Sequence, residues 1–319
     1  MTTILCLQEL TSEQRAAVRQ GAPDATIVFG GKSVAGDQDF RDAEIILGWD
    51  KRVTEIALQE GSKLRWVQSW SSGIDSLPLD RLEERGILLT DASGVHARSV
   101  SETAVAMMLG LSRGIAAAVR NQRTGLWESP DTLAEMNGGT VAIVGAGEIG
   151  REVARIARAF DMRVIAVRRS GGQMPEADVV YETSRLDDAL READYVVNIL
   201  PLTGETQHLF HAERFAVMKR TAYFINVGRG ATVRTEDLVE ALDKGIIAGA
   251  GLDVFEQEPL PADHPLWAMP NVILTPHNAG GLTVRNGERL VKLFLSNLEL
   301  YSSGHAADLR NLVDYKKRY

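Results

Sequence analysis

The chain has a single cysteine, Cys6, in 319 residues. No disulfide can form within it, which excludes a disulfide-stapled scaffold and fits a reducing, cytoplasmic setting. No apolar run approaches the roughly 18 residues that a membrane-spanning helix needs. The opening MTTILCLQEL has no basic stretch ahead of an apolar one, so no secretory leader is expected. Positive charge is in deficit, with 35 Lys and Arg against 43 Asp and Glu. The resulting net charge of −8 argues against a nucleic-acid partner. Low-complexity segments and internal repeats are also missing. With 45% hydrophobic and 24% charged residues, the remainder is ordinary globular sequence, long enough for two domains.

The most informative stretch is Thr140–Gly150, TVAIVGAGEIG. Val141–Val144 is a short apolar run of strand type. Glycines at Gly145, Gly147 and Gly150 then follow the G-x-G-x-x-G spacing. Beyond them Val153, Ala154, Ile156, Ala157 and Phe160 recur at a helical period. The order is strand, tight turn, helix. The first glycine permits the turn, the second admits a pyrophosphate to the backbone, and the third lets the helix pack on the strand. An anion there meets the N–H groups that open the helix. The spacing alone is weak, but the flanking strand and helix make a dinucleotide site the expectation.

Before this stretch, apolar runs at Thr3–Leu7, Thr26–Phe29, Glu44–Gly48, Trp66–Trp70 and Ile87–Thr90 read as strands, with helices at Ser12–Gln20 and Leu79–Arg85. Strands alternating with helices imply a parallel α/β layer. Ser99–Gln122 reads as one long helix, a spine linking two domains, and Trp127–Gly139 as loop. After the glycine turn, strands are expected at Arg163–Val167, Val179–Tyr181, Tyr195–Leu200, Ala222–Val227, Ala248–Val254 and Val272–Thr275. Helices Leu186–Ala193, Ala212–Met218 and Thr235–Asp243 fall between them. That is a doubly wound sheet, with its crevice outside the carboxyl ends of the strands. The last helix, Val284–Ser302, has no place in that sheet and is expected to return to the first domain. The division is therefore 1–98 with 285–319, and 99–284.

Arg229 follows the Ala222 strand, Glu256 and Glu258 the Ala248 strand, and His277 the Val272 strand. A guanidinium, a carboxylate pair and an imidazole on one edge suit reduction of a 2-oxo acid. Arg grips carboxylate and carbonyl through parallel hydrogen bonds. His protonates the carbonyl oxygen as hydride reaches carbon, and a carboxylate orients the His. Each residue alone could be an ordinary loop residue; their convergence beside a dinucleotide turn is what carries the reading. His208 and His211 lie three apart, but no cluster of further ligands joins them, so no metal site is expected. His96, His264 and His305 read as loop or structural, and Trp70 as packing or as a wall of the substrate pocket.

The chain resembles the D-isomer-specific 2-hydroxyacid dehydrogenases, and the glyoxylate/hydroxypyruvate reductase-like members among them, over nearly its whole length. The matching stretches are Val144–Gly150, Leu200–Phe210, Phe224–Leu238, Ala250–Pro261, His264–Trp267 and Leu274–Gly280; the ending, from Val313-Asp314 to Tyr319, fits as well. The resemblance implies an α/β protein with a flavodoxin-like substrate domain and a Rossmann dinucleotide-binding domain. It implies Arg229 as the substrate-binding arginine, Glu258 as the partner carboxylate and His277 as acid/base. Backbone N–H groups of Ser71, Ser72 and Gly73 are implied to hold the substrate carboxylate. Besides the three glycines, Glu148, Ile149, Leu200, Pro201, Thr206, Val227, Gly228, Asp253, His277 and Gly280 are implied to line the cofactor, with Asp253 on the nicotinamide carboxamide. It further implies a homodimer built on the arm Ser99–Asn137.

Three departures stand out. Arg168, followed by Arg169 and Ser170, occupies the end of the second strand, where many members carry an acidic residue for the ribose 2′-OH. Arginines there suit a 2′-phosphate, so NADP is expected over NAD. Asn278 follows His277 where an apolar residue is more usual. Ser101-Glu102 stands where Ala-Glu is usual, with no functional consequence expected. Phosphoglycerate oxidation is the alternative within the enzyme class, although no basic cluster in the first domain offers a phosphate site. Formate oxidation would call for glutamine at Glu258. A non-enzymatic NAD(P)-sensing protein of the corepressor kind would retain the same triad but is expected to carry long disordered tails.

Overall fold

The computed structural model describes residues 2–129, 133–169, 171–281 and 283–316, with Lys32 and Ser33 described by backbone alone. The chain divides into two units, Met1–His96 with Leu282–Tyr319, and Ala97–Gly281.

The first unit is built on β1 (Thr3–Cys6), β2 (Thr26–Phe29), β3 (Ile45–Leu47), β4 (Trp66–Gln68) and β5 (Leu88–Thr90). Every pairing is parallel and the order is β2-β1-β3-β4-β5, the flavodoxin-like arrangement. Ile4, Leu5, Ile45, Ile46, Trp66 and Val67 are fully buried. This is why the strands read as unbroken apolar runs: a parallel sheet is covered on both faces. Helices α1 (Ser12–Gly21), α2 (Gly31–Val34), α3 (Asp37–Asp42) and α4 (Leu79–Glu84) connect the strands. Thr11 opens α1 with a capping box, its hydroxyl accepting from Gln14 N and its own N–H donating to Gln14 Oε1 at 3.0 Å.

The second unit opens with α5 (Ala97–Ser112) and α6 (Ile115–Gln122). The expected single helix over Ser99–Gln122 is thus two, meeting at 73°. Gly114 adopts φ +67°, a left-handed conformation that ends a helix and that glycine reaches without strain. Val100, Ala104, Val105, Met107 and Met108 of α5 sit in this unit's own core, packed with Val141, Ile143 and Val153.

Next come β6 (Thr140–Val144), α7 (Glu148–Arg158), β7 (Arg163–Arg168), β8 (Val179–Glu182), α8 (Leu186–Glu192) and β9 (Tyr195–Asn198). They are followed by α9 (Ala212–Val217), β10 (Tyr223–Asn226), α10 (Thr235–Asp243), β11 (Gly249–Leu252) and β12 (Val272–Leu274). The sheet is parallel throughout, in the order β12-β11-β10-β9-β6-β7-β8. Strand order reverses between β6 and β9, which puts the switch point beside the glycine turn. Along β6, Val141 and Ile143 join one apolar layer while Ala142 and Val144 join the layer on the opposite face. Phe210, Phe215 and Phe224 fill the latter, Phe215 meeting Phe224 edge-on at 5.4 Å. Each buried aromatic contributes roughly 1.5–3 kcal/mol.

Helix α11 (Val284–Ser302) belongs to the first unit. Thr283 caps it, and a Cβ on Gly287 would lie 2.4 Å from the Gln14 side chain, so α11 approaches α1 closely. No single described helix is long and apolar enough to cross a membrane.

Candidate active site

The glycine turn has the shape its spacing predicts. Gly145 takes φ +97°, and its N–H donates to Val167 O at 3.1 Å. A Cβ on Gly150 would sit 3.1 Å from Ile143 Cγ2, the close packing of α7 on β6. A Cβ on Gly147 would meet nothing within 4 Å, so the turn is open where a pyrophosphate must approach. Glu148, Ile149 and Gly150 open the first turn of α7, where N–H groups have no preceding helical carbonyl. These features fit a dinucleotide.

Arg168 ends β7 and is half-buried, with Nη1 donating to Gln173 O at 3.3 Å. Arg169 follows it, exposed. Ser170 lies outside the described residues. Leu200, Pro201 and Thr206 form the loop after β9, which Thr206 closes by donating to Pro201 O at 2.6 Å and accepting from Thr203 N at 2.8 Å. Val227 and Gly228 follow β10. A Cβ on Gly228 would lie 2.7 Å from Leu200 O, so the two loops touch.

Gly230 has no room at all. A Cβ there would fall 1.9 Å from Phe255 C, and this contact brings the Arg229 loop against the segment that carries Glu258. Arg229 is half-buried, with Nη1 donating to Gly228 O at 2.9 Å. Its backbone carbonyl accepts from Asn226 Nδ2 at 3.3 Å and from Thr232 Oγ1 at 2.6 Å.

His277 Nδ1 lies 2.7 Å from Glu258 Oε2, and Glu258 Oε1 accepts the Phe255 N–H at 3.0 Å. The pair is partly open, with His277 at 49% and Glu258 at 35% side-chain exposure, so the ring can meet a small molecule. His277 itself takes φ +50°, uncommon for a residue with a Cβ. Its N–H donates to Asp253 O at 2.8 Å, which fixes that turn. Asp253 is buried at 2% exposure and accepts from Thr275 Oγ1 at 2.6 Å and from the N–H groups of Asn278 and Ala279, each at 3.0 Å. It therefore uses three of a carboxylate's approximately four acceptor positions to shape the His277 loop. The Asn278 side chain is exposed, and Gly280 follows in the same loop.

The second unit thus gathers Arg229, Asp253, Glu258 and His277 with the glycine turn at the carboxyl edge of one sheet. Ser71, Ser72 and Gly73 belong to the first unit. There the Ser71 N–H donates to Ser69 Oγ and the Gly73 N–H to Ser71 Oγ, both at 3.1 Å. His208 and His211 take separate partners, Glu256 at 2.7 Å and Glu213 at 2.5 Å. Among the described residues, no cluster of three or more His, Cys, Asp or Glu side chains is arranged to hold a metal ion.

The profile of the D-isomer specific 2-hydroxyacid dehydrogenase NAD-binding domain matches residues 105–279. The chain belongs to this dehydrogenase family. It is 42% identical over 245 residues to the glyoxylate/hydroxypyruvate reductase B of Escherichia fergusonii, covering 75% of each chain. A D-isomer specific 2-hydroxyacid dehydrogenase family protein from Aeromonas salmonicida superposes with a TM-score of 0.87 at 34% identity, over 98% of this chain and 99% of that one. An NADPH-dependent glyoxylate/hydroxypyruvate reductase from Sinorhizobium meliloti, in complex with NADP and sulfate, gives 0.80 at 27% identity over the full length of both chains. This dehydrogenase is therefore an enzyme with an NAD(P)-binding domain, and its α/β architecture of two parallel sheets is that of its relatives.

Sequence reasoning missed two buried polar networks, one of them directly under Arg229. Asn198, Asn226 and Thr232, exposed at 0, 1 and 0%, form a buried network under Arg229. In the first unit, His96 contacts Trp70 O at 2.9 Å through Nε2 and Asn286 Nδ2 at 3.3 Å through Nδ1. A polar residue ending an otherwise apolar strand, as Asn198 and Asn226 do, was the available signal.

Proposed function

We propose that the protein reduces a small 2-oxo acid to the D-2-hydroxy acid, with NADPH as hydride donor, NAD(H) being the lesser alternative. The 2.7 Å pairing of His277 with Glu258, at the carboxyl edge of a sheet bearing a dinucleotide turn, carries this reading. Glyoxylate and hydroxypyruvate are the first substrates to test, since relatives bear those names.

Glu258 accepts a hydrogen bond from the imidazole Nδ1–H and so leaves Nε2 to face the substrate. When bound, the nicotinamide supplies the hydride that reaches the carbonyl carbon. Protonated at both nitrogens and paired with the Glu258 carboxylate, His277 gives its Nε2 proton to the carbonyl oxygen and is left as the neutral imidazole. Arg229 holds the carboxylate and carbonyl oxygens in one plane through its planar fork. In the Ser71–Gly73 segment, where the Ser71 and Gly73 N–H groups donate within the loop, the Ser72 N–H serves the substrate carboxylate. Asp253 holds the His277 loop in place and retains acceptor capacity for the carboxamide. Residues 1–98 with 285–319 are the substrate domain, and 99–284 the cofactor domain.

Arg168 and Arg169 at the end of β7 support NADP, as do relatives described with NADPH or NADP bound. A homodimer is supported by the exposed apolar side chains Ile115, Val119, Leu126, Leu133 and the fully exposed Trp127. The single, buried Cys6 supports a reducing, cytoplasmic setting.

The test is NADPH oxidation with a panel of glyoxylate, hydroxypyruvate, pyruvate and 3-phosphohydroxypyruvate, with chiral analysis of the products. Achiral glycolate from glyoxylate, and D-glycerate and D-lactate from hydroxypyruvate and pyruvate, are expected. Turnover of the phosphorylated substrate alone, or of none, would refute the reading.

A further inference from the structure

Three polar side chains lie buried under the Arg229 loop. Asn198 ends β9, Asn226 ends β10, and Thr232 lies three residues beyond Arg229; none exceeds 1% exposure. Burying a neutral polar group is costly unless it is hydrogen-bonded, and apolar side chains of the same size would serve the core at lower cost. Here each side chain has partners. Asn198 Nδ2 donates to Asn226 Oδ1 at 3.1 Å and to Thr232 Oγ1 at 2.7 Å. Asn198 Oδ1 accepts the Leu200 N–H at 3.3 Å. Asn226 Oδ1 also accepts the Gly228 N–H at 3.1 Å.

The bonds converge on one atom. Arg229 O accepts from Asn226 Nδ2 at 3.3 Å, from Thr232 N at 3.2 Å and from Thr232 Oγ1 at 2.6 Å. The residue before Arg229 is held through Gly228 N–H, and Arg229 itself is held at its carbonyl. The backbone from which the guanidinium projects is therefore fixed on both sides. Through Leu200 N–H, the same amides also hold the loop after β9.

We propose that Asn198, Asn226 and Thr232 are positioning residues that aim the Arg229 guanidinium at the substrate and tie its register to the Leu200–Thr206 loop. The inference rests on Arg229 being the substrate-binding arginine. A shift of the Arg229 backbone displaces the guanidinium directly, whereas Gly228 and Leu200 on the cofactor side are held by the asparagine side chains rather than by Thr232, so loss of the Thr232 hydroxyl must weigh more on the oxo acid than on the cofactor.

A double-mutant cycle tests this, using Thr232→Val, Thr232→Ser, Arg229→Ala and the pair Arg229→Ala with Thr232→Val. The readouts are kcat/KM for the 2-oxo acid and NADPH affinity by fluorescence titration. Thr232→Val keeps the shape and removes the hydroxyl, and is expected to lower kcat/KM about tenfold. NADPH affinity is expected to change less than about threefold, and Thr232→Ser to restore wild-type behaviour. In the Arg229→Ala background the added Thr232→Val change is expected to have almost no effect, because its route of action is gone. Should Thr232→Val fail to fold, Thr232→Ala serves in its place, since it removes the hydroxyl without adding bulk or charge. Losses that simply multiply across the cycle, or a Thr232→Ser variant as impaired as Thr232→Val, would overturn the inference and leave the role of Arg229 standing. A near-wild-type Arg229→Ala would instead overturn the role of Arg229, and this inference with it.

Discussion

Glu258 holds His277 from one side only: its Oε2 lies 2.7 Å from Nδ1, while its Oε1 is tied to the backbone N–H of Phe255 at 3.0 Å. The carboxylate is anchored to its own segment and presents one oxygen to the ring. Glu258→Gln preserves that shape and removes the charge that stabilises a protonated imidazole. Reduction is expected to slow by about 10²–10³-fold, with NADPH affinity unchanged. Single-turnover kinetics alongside a fluorescence titration check this; a variant that turns over normally would show that His277 acts without Glu258.

Arg229 is expected to be irreplaceable by lysine. An ammonium cannot make the two parallel bonds of a guanidinium. Arg229→Lys should therefore lose at least about tenfold in kcat/KM for the oxo acid while binding NADPH as the wild type does. Equal losses in both would assign the residue to the cofactor or to the fold.

Arg168 ends β7, 21 residues after Gly147 (168 − 147). A guanidinium at this place pairs with a 2′-phosphate, and such charge-assisted contacts contribute roughly 1.5–3 kcal/mol. NADPH is expected to exceed NADH by at least about tenfold in kcat/KM. Arg168→Asp should reverse or abolish that preference. Equal use of both cofactors by the unmodified enzyme would mean that the arginine does not select.

Burial raises the Cys6 thiol pKa to about 12, against a lesser lowering by Arg15. The unfolded thiol ionises near 9.0, so the folded state keeps a proton that the unfolded state has lost between about 9 and 12. Stability from this group is full below the unfolded value and declines as pH rises through that window. The native protein should resist alkylation at mildly alkaline pH and react once denaturant is added. Rapid labelling of the native protein would contradict the buried, protonated thiol.

What was legible in the sequence has a common physical cause. The glycine turn and the Arg229, Glu258 and His277 positions are local: each is a chemistry-bearing residue at the end of an apolar run, and a parallel sheet puts those ends on one edge. The helix break at Gly114 was not legible, because the apolar period continues through it and only a positive φ ends α5. The Asn198–Thr232 bond was hidden for the opposite reason, since it joins residues 34 apart that only the sheet brings together. Asp253 was read toward the cofactor alone, whereas three of its bonds go to the loop that carries His277. Those partners are two backbone N–H groups and a hydroxyl, which leave no pattern in side-chain chemistry.

The central claim is that His277 delivers the proton as the 2-oxo acid is reduced. Its most direct test is a single turnover: NADPH-loaded wild type and His277→Ala are each mixed with hydroxypyruvate, and loss of nicotinamide absorbance is followed. The wild type should consume its bound NADPH rapidly, and His277→Ala about 10²–10⁴-fold more slowly at unchanged NADPH affinity. A His277→Ala variant that oxidises NADPH at the wild-type rate would contradict the account.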